Sequence, residues 1–403
     1  MFYDDCMSLN IQQIIAEADR CVACGLCLPH CPTYYKTGSE ADSPRGRIQL
    51  MSAVARDILP SNERYQQHIN GCLSCRNCET ACPNGVNYGG LIDSARAGIA
   101  KPVNLTHKLT NILVQKPALM GFAGNVLKLA QQLGLLKVIS VLIPALKKPI
   151  TLLPQLPNQQ NWLDLYRTNQ SKKGDVSLFL GCISNTFDTE TLRASVFVLN
   201  HLGYDVHIPK TQACCGGLAR QQGNAELAKD YIEKNNTAFS KANPVITVAS
   251  GCGAGLQDYA DLPIQDISAF LIQCDWQNIS LQPIDADIAL HEPCTLRNVQ
   301  KSHASVMALL KKIPSANVQN LSGNAQCCGG AGAYMLTQAD MADALLNDKL
   351  AAIDKTKATL LATSNIGCAL HIAAGLRAQN NSVKVMHPVT IIAKQLGYTG
   401  FID

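Results

Sequence analysis

CVACGLCLPHCP (residues 21–32) and CLSCRNCETACP (residues 72–83) are two copies of one pattern. Eight of the chain's 18 cysteines fall in them: Cys21, Cys24, Cys27 and Cys31 before Pro32, and Cys72, Cys75, Cys78 and Cys82 before Pro83. Each copy reads C-x2-C-x2-C-x3-C-P, the run with which bacterial proteins bind 4Fe–4S clusters. Three thiolates at two-residue gaps wrap one corner of a cubane, and the fourth cysteine of each run ligates the other cluster. The expected ligand sets are therefore Cys21, Cys24, Cys27 and Cys82 for cluster 1, and Cys72, Cys75, Cys78 and Cys31 for cluster 2. Zinc sites pair two-cysteine knuckles rather than four-cysteine runs, which sets a zinc or disulfide reading aside. Gly25 allows close backbone approach, and proline after the fourth cysteine turns the chain away.

The chain has 403 residues, 47% hydrophobic and only 16% charged, enough to bury a core in two or three domains. Asp4 and Asp5 stand where a secretory leader would be basic, and no apolar run reaches the ~18 residues of a membrane span. So many thiols without an export signal lead us to expect a cytoplasmic protein whose cysteines serve metal. Peripheral attachment to the inner face of the cytoplasmic membrane stays open, and no nucleic-acid partner is expected. Residues 101–170 carry eight basic side chains and one acidic one, Asp164, and thus the whole of the net charge of +4. This segment reads as short helices broken by Pro117, Pro144, Pro149, Pro154 and Pro157. Leu105, Leu109, Ile112 and Leu113 share one face, and Leu119, Ala123, Val126, Leu127 and Ala130 another. Lys108, Lys116, Lys128, Lys137, Lys147 and Lys148 punctuate it, so it either lies on anionic lipid or packs on this protein or a partner subunit.

Helices are expected over residues 10–18, 45–56 and 88–100 around the cluster loops. The helical insert of about forty residues between the motifs resembles the α-helical ferredoxin domain of respiratory complexes, such as the succinate dehydrogenase iron–sulfur subunit. From about residue 174 strands alternate with helices, the pattern of a parallel sheet. Strands are expected at 176–180, 204–208, 245–249, 288–290 and 359–363, and a helix from Gly216 to about residue 241. A repeat runs through this half: Cys182, Cys214-Cys215-Gly216-Gly217 and Cys252 recur as Cys294, Cys327-Cys328-Gly329-Gly330 and Cys368. The offsets of 112, 113 and 116 residues mark an internal duplication. Carboxyl strand ends converge on one crevice, so Cys182, Cys214, Cys215 and Cys252 would meet in centre 3, and Cys294, Cys327, Cys328 and Cys368 in centre 4. Each centre would hold metal, as a further iron–sulfur group, or work as a thiol–disulfide site. Cys6 and Cys274 stand outside every set. The fold class is α+β multidomain: a two-cluster helical domain (1–100), the basic linker (101–170) and two duplicated α/β Cys-Cys-Gly domains (171–284 and 285–403).

These pieces, with the string Asp42-Ser43-Pro44-Arg45-Gly46-Arg47-Ile48 and the stretch CLSCRNCETACPNGV at 72–86, resemble the iron–sulfur subunit family of glycolate oxidase (glycolate dehydrogenase) over essentially the whole chain. Lactate-utilisation iron–sulfur proteins, the anaerobic glycerol-3-phosphate dehydrogenase third subunit and the heterodisulfide reductase B subunit share the architecture. The last of these ends each Cys-Cys-Gly domain in C-x2-C; here Ala249 and Asn365 stand where the extra thiol would be, which argues against its five-cysteine cluster pair and against disulfide chemistry. The resemblance implies an electron-transfer subunit that accepts electrons from an FAD-containing dehydrogenase partner oxidising glycolate, and passes them towards membrane quinone. A lactate-utilisation or anaerobic glycerol-3-phosphate dehydrogenase iron–sulfur subunit, a disulfide-reducing catalytic subunit and a structural iron–sulfur scaffold are the alternatives. No substrate-binding fingerprint or catalytic residue is visible in the chain itself. Arg45, Arg47 and Arg76 are placed to offset cluster charge, or serve as ordinary surface pairs. His291 and His387 line a quinone or partner surface, or are structural.

Overall fold

A computed structural model describes residues 8–99 and 117–400. Residues 8–99 contain helices and no strand. Helix Ile11–Asp19 opens with a reciprocal capping box between Asn10 and Gln13. Pro32 is the first residue of helix Pro32–Thr37, where its missing N–H costs nothing, so the proline after the fourth cysteine starts a helix as well as ending the loop. Helices Pro44–Ala55, Glu63–Asn70 and Tyr88–Ala97 close the domain over Ile48, Met51, Ile69, Leu91 and Ile92.

The string at residues 42–48 is the framework of this domain. Ser43 caps helix Pro44–Ala55 by accepting from the Gly46 amide, with Pro44 at its first position. A Cβ at Gly46 would collide with the Glu40 carbonyl. Arg47 is 1% exposed. Its guanidinium donates to the carbonyls of His68 (2.6 Å) and Asp42 (2.5 Å) and to Thr33 Oγ1 (3.0 Å). Burial opposes its charge, but the field of Tyr88, Cys72, Cys31 and Asp42 outweighs burial and holds it protonated.

The second half holds two sheets. The first runs β1-β3-β2-β4-β5: β1 (Leu165–Tyr166), β2 (Gly174–Phe179), β3 (Tyr204–His207), β4 (Val245–Thr247) and β5 (Ile264–Asp266). The second runs β7-β6-β8-β9: β6 (Ala286–His291), β7 (Ala316–Asn320), β8 (Leu360–Thr363) and β9 (Lys384–Met386). All pairings are parallel except that of β1, which falls inside the stretch read as linker and lies antiparallel on β3. Dropping β1, both sheets have the order second-first-third-fourth, so the duplication seen in the cysteines is also one of topology. The two halves share a core: Leu192, Val196 and Leu199 of helix Thr189–His201 lie in one cluster with Ile391 and Ile392 of helix Pro388–Gln395.

The helix expected from Gly216 to 241 is two helices, Gly217–Gln221 and Ala225–Ala238. Gly223 takes a φ of 66° between them and Asn224 caps the second, so the chain turns where the apolar pattern alone reads through. Residues 105–113 and Lys108 and Lys116, read above as part of a basic amphipathic stretch, lie outside the described residues, as does Cys6. The rest of that stretch forms helices Pro117–Gln132, Leu135–Leu142 and Lys147–Leu152. Their outward side exposes Phe122, Val126, Leu129, Val141 (79%) and Leu142. Among the described residues no single helix is long and apolar enough to cross a membrane.

Two expectations concern stability. Replacing Arg47 with Met leaves two carbonyls without their donor and Cys31 and Cys72 without their cation; we expect a loss of roughly 3–5 kcal/mol, read by denaturant melts, with bleaching of the visible iron–sulfur absorbance. His387 caps helix Pro388–Gln395 by accepting from the Val389 amide (3.1 Å), and burial pushes its pKa from 6.5 down to about 3. Between those values the unfolded chain holds the extra proton, so this residue's contribution is present above about pH 6.5 and is lost as pH falls towards 3. His387→Asn keeps an acceptor and has no proton to bind, so its stability relative to wild type rises between about pH 7.5 and 5. A pH-independent difference would show that His387 is not held neutral.

Candidate metal centres

The cysteines gather into four sets, and the two N-terminal motif loops build the first two. One hollow is lined by Cys21, Cys24, Cys27, Cys78 and Cys82, and a second by Cys31, Cys72, Cys75 and Cys78. The fourth cysteine of each motif thus stands with the first three of the other, and Cys78 borders both hollows. The loops have the same backbone at equivalent positions: Ala23 and Gly25 in the first, Ser74 and Arg76 in the second, all with φ between 51° and 83°. Three of these four are not glycine, so the loops store local strain of order 1–2 kcal/mol per residue where amides must curl around a ligand. The Ser74 amide donates to Cys72 Sγ (3.4 Å), Tyr88 Oη to the same sulfur (3.6 Å), and Thr33 Oγ1 lies 3.2 Å from Cys31 Sγ. Cys24 is exposed while Cys31, Cys72, Cys75 and Cys78 are buried, so the first hollow faces outward and the second inward.

The three arginines near these loops divide. Arg47 is the buried cation beside Cys31 and Cys72. Arg45 holds Glu40 (2.6 Å) and the Ala23 carbonyl (3.0 Å), with Cys27 close enough to favour its charge. Arg76 is committed elsewhere: it pairs with Glu79 and reaches across to Asp258 in the first Cys-Cys-Gly domain. Arg96, which the sequence reading passed over, ties the carbonyl of Cys72 (2.6 Å) to Ser74.

In a sheet of order second-first-third-fourth, ligands sit at the carboxyl ends of the first and third strands, where connections depart in opposite directions. The cysteines stand there. Cys182 begins helix Cys182–Phe187 after β2, and Cys252 lies in the first turn of helix Ser250–Tyr259 after β4. Cys294 begins helix Cys294–Asn298 after β6, and Cys368 lies in the first turn of helix Ile366–Ala378 after β8. The Cys-Cys-Gly turns bring in the remaining two thiols of each set. Gly216 and Gly329 have φ of 75° and 82°, and a Cβ on either would press on Ala228 of helix Ala225–Ala238 or Ala342 of helix Ala339–Asp354. Cys182 and Cys214 sulfurs are 3.5 Å apart, those of Cys294 and Cys327 4.0 Å. Cys274 is away from both sets, bonded to the Phe270 carbonyl. No disulfide forms among the described cysteines.

Such crowding sets the ionisation. Donating hydrogen bonds to Cys182 and Cys215, and then burial, raise Cys214; Cys215 is lowered, because Cys214 and Cys252 donate to it and Arg220 adds its charge. Contact with Cys327 and burial raise Cys294. Buried sulfurs that cannot all ionise beside one another form a donor set that suits a soft metal group, which takes up their charge. One further cation serves each set. Arg220 donates to the Cys215 carbonyl (3.3 Å), stacks on Tyr259 and faces Asp93. Lys349, 2% exposed, donates to the Gly323 carbonyl; burial lowers its pKa against the pull of Cys328, Cys327, Cys368 and Cys294. Neither cation was read from the sequence: Lys349 lies 21 residues past Cys328, and Arg220, though only five past Cys215, carries no motif that marks it.

His291 and His387 line no surface. His387 is the buried helix cap described above, whereas His291 is 1% exposed, holds Thr363 Oγ1 at 2.9 Å and has a ring nitrogen within 4.8 Å of the sulfurs of Cys328 and Cys368. Burial, with Lys349 and Arg297 near, pushes its pKa down to about 3, so the ring is neutral at neutral pH. Asn365, at the position of the missing thiol, donates to Cys368 Sγ (3.3 Å).

The sets touch in series. Asn298, at the end of the helix that Cys294 begins, donates to the Cys75 carbonyl (2.7 Å) and to Asn77 Oδ1 (2.7 Å), and Asn77 in turn donates to the Ala325 carbonyl. Leu73, Cys75, Cys327 and Tyr334 form one buried cluster with Cys294 against it. Ser250 Oγ, two residues before Cys252, lies 2.8 Å from Thr295 Oγ1, one residue after Cys294. Beside Cys182 and Cys214 opens a cavity of about 800 Å³, bordered by Met120, Trp162, Lys210 and Lys234.

Comparison with known proteins agrees with this architecture. Residues 17–86 match the 4Fe-4S dicluster domain family, and residues 176–257 and 288–373 both match the Cysteine-rich domain family. The chain is 32% identical to the probable glycolate oxidase iron-sulfur subunit of Bacillus subtilis (strain 168), over 95% of both chains. It is 30% identical to the glycolate oxidase iron-sulfur subunit of Escherichia coli (strain K12), over 93% of both. Lactate utilization protein A 2 of Bacillus cereus (strain Q1) is 24% identical over 55% of this chain and 98% of its own. The chain carries iron–sulfur clusters, with the 4Fe–4S pair in its N-terminal domain, and it belongs to the family of glycolate oxidase iron–sulfur subunits.

Proposed function

We propose that the chain is the electron conduit of a hydroxy-acid dehydrogenase complex, taking electrons from an FAD-containing subunit that oxidises glycolate and delivering them towards membrane quinone. The observation that carries this reading is the unbroken contact between the cysteine sets: the outward hollow shares Cys78 with the inward one, Cys75 of the inward one meets Cys294 and Cys327 through Asn298 and Leu73, and Ser250 links Cys294's helix to that of Cys252. Clusters held by Cys21, Cys24, Cys27 and Cys82, by Cys31, Cys72, Cys75 and Cys78, and by the two Cys-Cys-Gly sets supply one-electron steps that divide a flavin's electron pair. The chain's own part is to keep water from the inward hollow and the second Cys-Cys-Gly set, to fix sulfurs with amide and hydroxyl donors, and to balance their charge with Arg47, Lys349 and, at the first Cys-Cys-Gly set, Arg220. Exposed Val22 and Leu26 beside Cys24 offer a docking face for the flavoprotein at one end. The cavity at Cys182 and Cys214 stands at the other. Ala249 and Asn365 in place of further thiols weigh against the disulfide-reducing alternative. The apolar, acid-free helices between residues 117 and 152 border that cavity through Met120, which supports peripheral attachment to anionic lipid on the cytoplasmic side.

Two experiments test this. Co-expressed with its flavoprotein and handled without oxygen, the complex should reduce quinone with glycolate; Cys75→Ser should abolish quinone reduction, while glycolate still bleaches the flavin. Quinone reduction that survives Cys75→Ser, or an isolated chain that reduces disulfides, would overturn the conduit. Lys137→Gln with Lys147→Gln should weaken binding to vesicles rich in anionic lipid by about 1 kcal/mol per lysine at low salt, vanishing at high salt. Unchanged binding would favour helices that pack on a partner subunit.

A further inference from the structure

The two Cys-Cys-Gly sites are built from the same strands yet are not chemically equivalent. His291 ends β6 three residues before Cys294; at the same offset of 112 residues the first site has Phe179, three residues before Cys182. Phe179 is buried and packs against Phe239, so it offers its centre no donor. His291 is equally buried, but its ring faces sulfur: one nitrogen lies within 4.8 Å of Cys328 and Cys368, whose sulfurs are within the same distance of each other. The Nδ1 contact with Thr363 Oγ1 at 2.9 Å anchors the ring, as the outer hydrogen bond of a metal-bound imidazole does. The amide of Asn365, standing where a fifth thiol would be, points at Cys368 Sγ as a donor and not as a ligand. One ligand position of the second site is thus left to a residue that sequence spacing does not bring to mind.

We propose that His291 is a direct ligand of the metal centre in the second Cys-Cys-Gly site, which is therefore a mixed thiolate–imidazole centre, while the first is held by thiolates alone. This rests on the reading that the second site holds an iron–sulfur centre. A neutral imidazole supplies a ligand without the negative charge that a fifth thiolate would add, so exchange of this histidine for cysteine should lower the reduction potential.

The test uses the holoprotein, prepared without oxygen and labelled with 15N-histidine, as wild type, His291→Cys and His291→Ala. In wild type, pulsed electron paramagnetic resonance should show a directly bound nitrogen that responds to the label, and this coupling should be absent from both variants. His291→Cys should keep its iron, shift the Mössbauer lines of one iron site and lower the reduction potential of one centre only. Mössbauer spectroscopy reads every iron whatever its spin state, so a centre silent in resonance is still scored. A wild type without such a nitrogen, or spectra unchanged in His291→Cys, would overturn the assignment, including the case in which His291 only donates a hydrogen bond to sulfur. Only about eight irons per chain, the complement of two cubanes, would instead remove the centre itself and with it the reading beneath.

Discussion

A thiolate loses its hydration when it is buried, and in a protein interior it persists only against a metal or a fixed cation. This chain buries most of sixteen such groups, and much of its architecture answers to that constraint. Strained loops at Ala23, Ser74 and Arg76 bend amides towards the first two hollows. Arg47, Arg220 and Lys349 are carried into the interior on three unrelated helices, each with its own carbonyl or carboxylate partners, and each next to a different cysteine set. The helices that flank these groups serve as walls that keep water out.

The duplicated half shows how one topology yields two sites. A sheet of order second-first-third-fourth leaves a gap at the carboxyl ends of its first and third strands, and a cysteine placed after each, with a Cys-Cys-Gly turn between them, converges there without further instruction. Gly216 and Gly329 are needed because the turn packs against Ala228 and Ala342 of the long helix that follows in each repeat. Once the frame exists, its edges can change: Phe179 against His291 and Ala249 against Asn365. Each swap alters the charge or donor set of one centre while leaving the strand order alone.

The N-terminal domain is docked on both repeats by polar contacts that are themselves buried or shielded. Asn298, Asn77 and the Cys75 carbonyl form one network with the second repeat, and Arg76–Asp258 and Asp93–Tyr259 join the first. A buried amide network of this kind tolerates little displacement, because each unmade hydrogen bond costs about 1–3 kcal/mol. That rigidity holds the inward hollow against the second Cys-Cys-Gly site.

Cysteine spacing and the 112-, 113- and 116-residue offsets, read alone, determined which cysteines gather into four sets, the doubled α/β half and the helical domain before it, because ligand spacing and strand periodicity are local properties written in consecutive residues. The principal strands fell where the apolar runs placed them, and so did the helix beginning at Pro44. Breaks that depend on backbone conformation, such as the turn at Gly223 that divides a helix, and pairings between distant segments, such as β1 on β3, were not legible. Only the tertiary structure decided which charges matter: it removed Arg76 from the cluster by giving it Asp258 and Glu79, brought Lys349 and Arg220 to the cysteines, and set His291 against Cys328 and Cys368 while burying His387 as a cap. These roles depend on distance through space and on burial, and residues far apart in the chain carry no local mark of either.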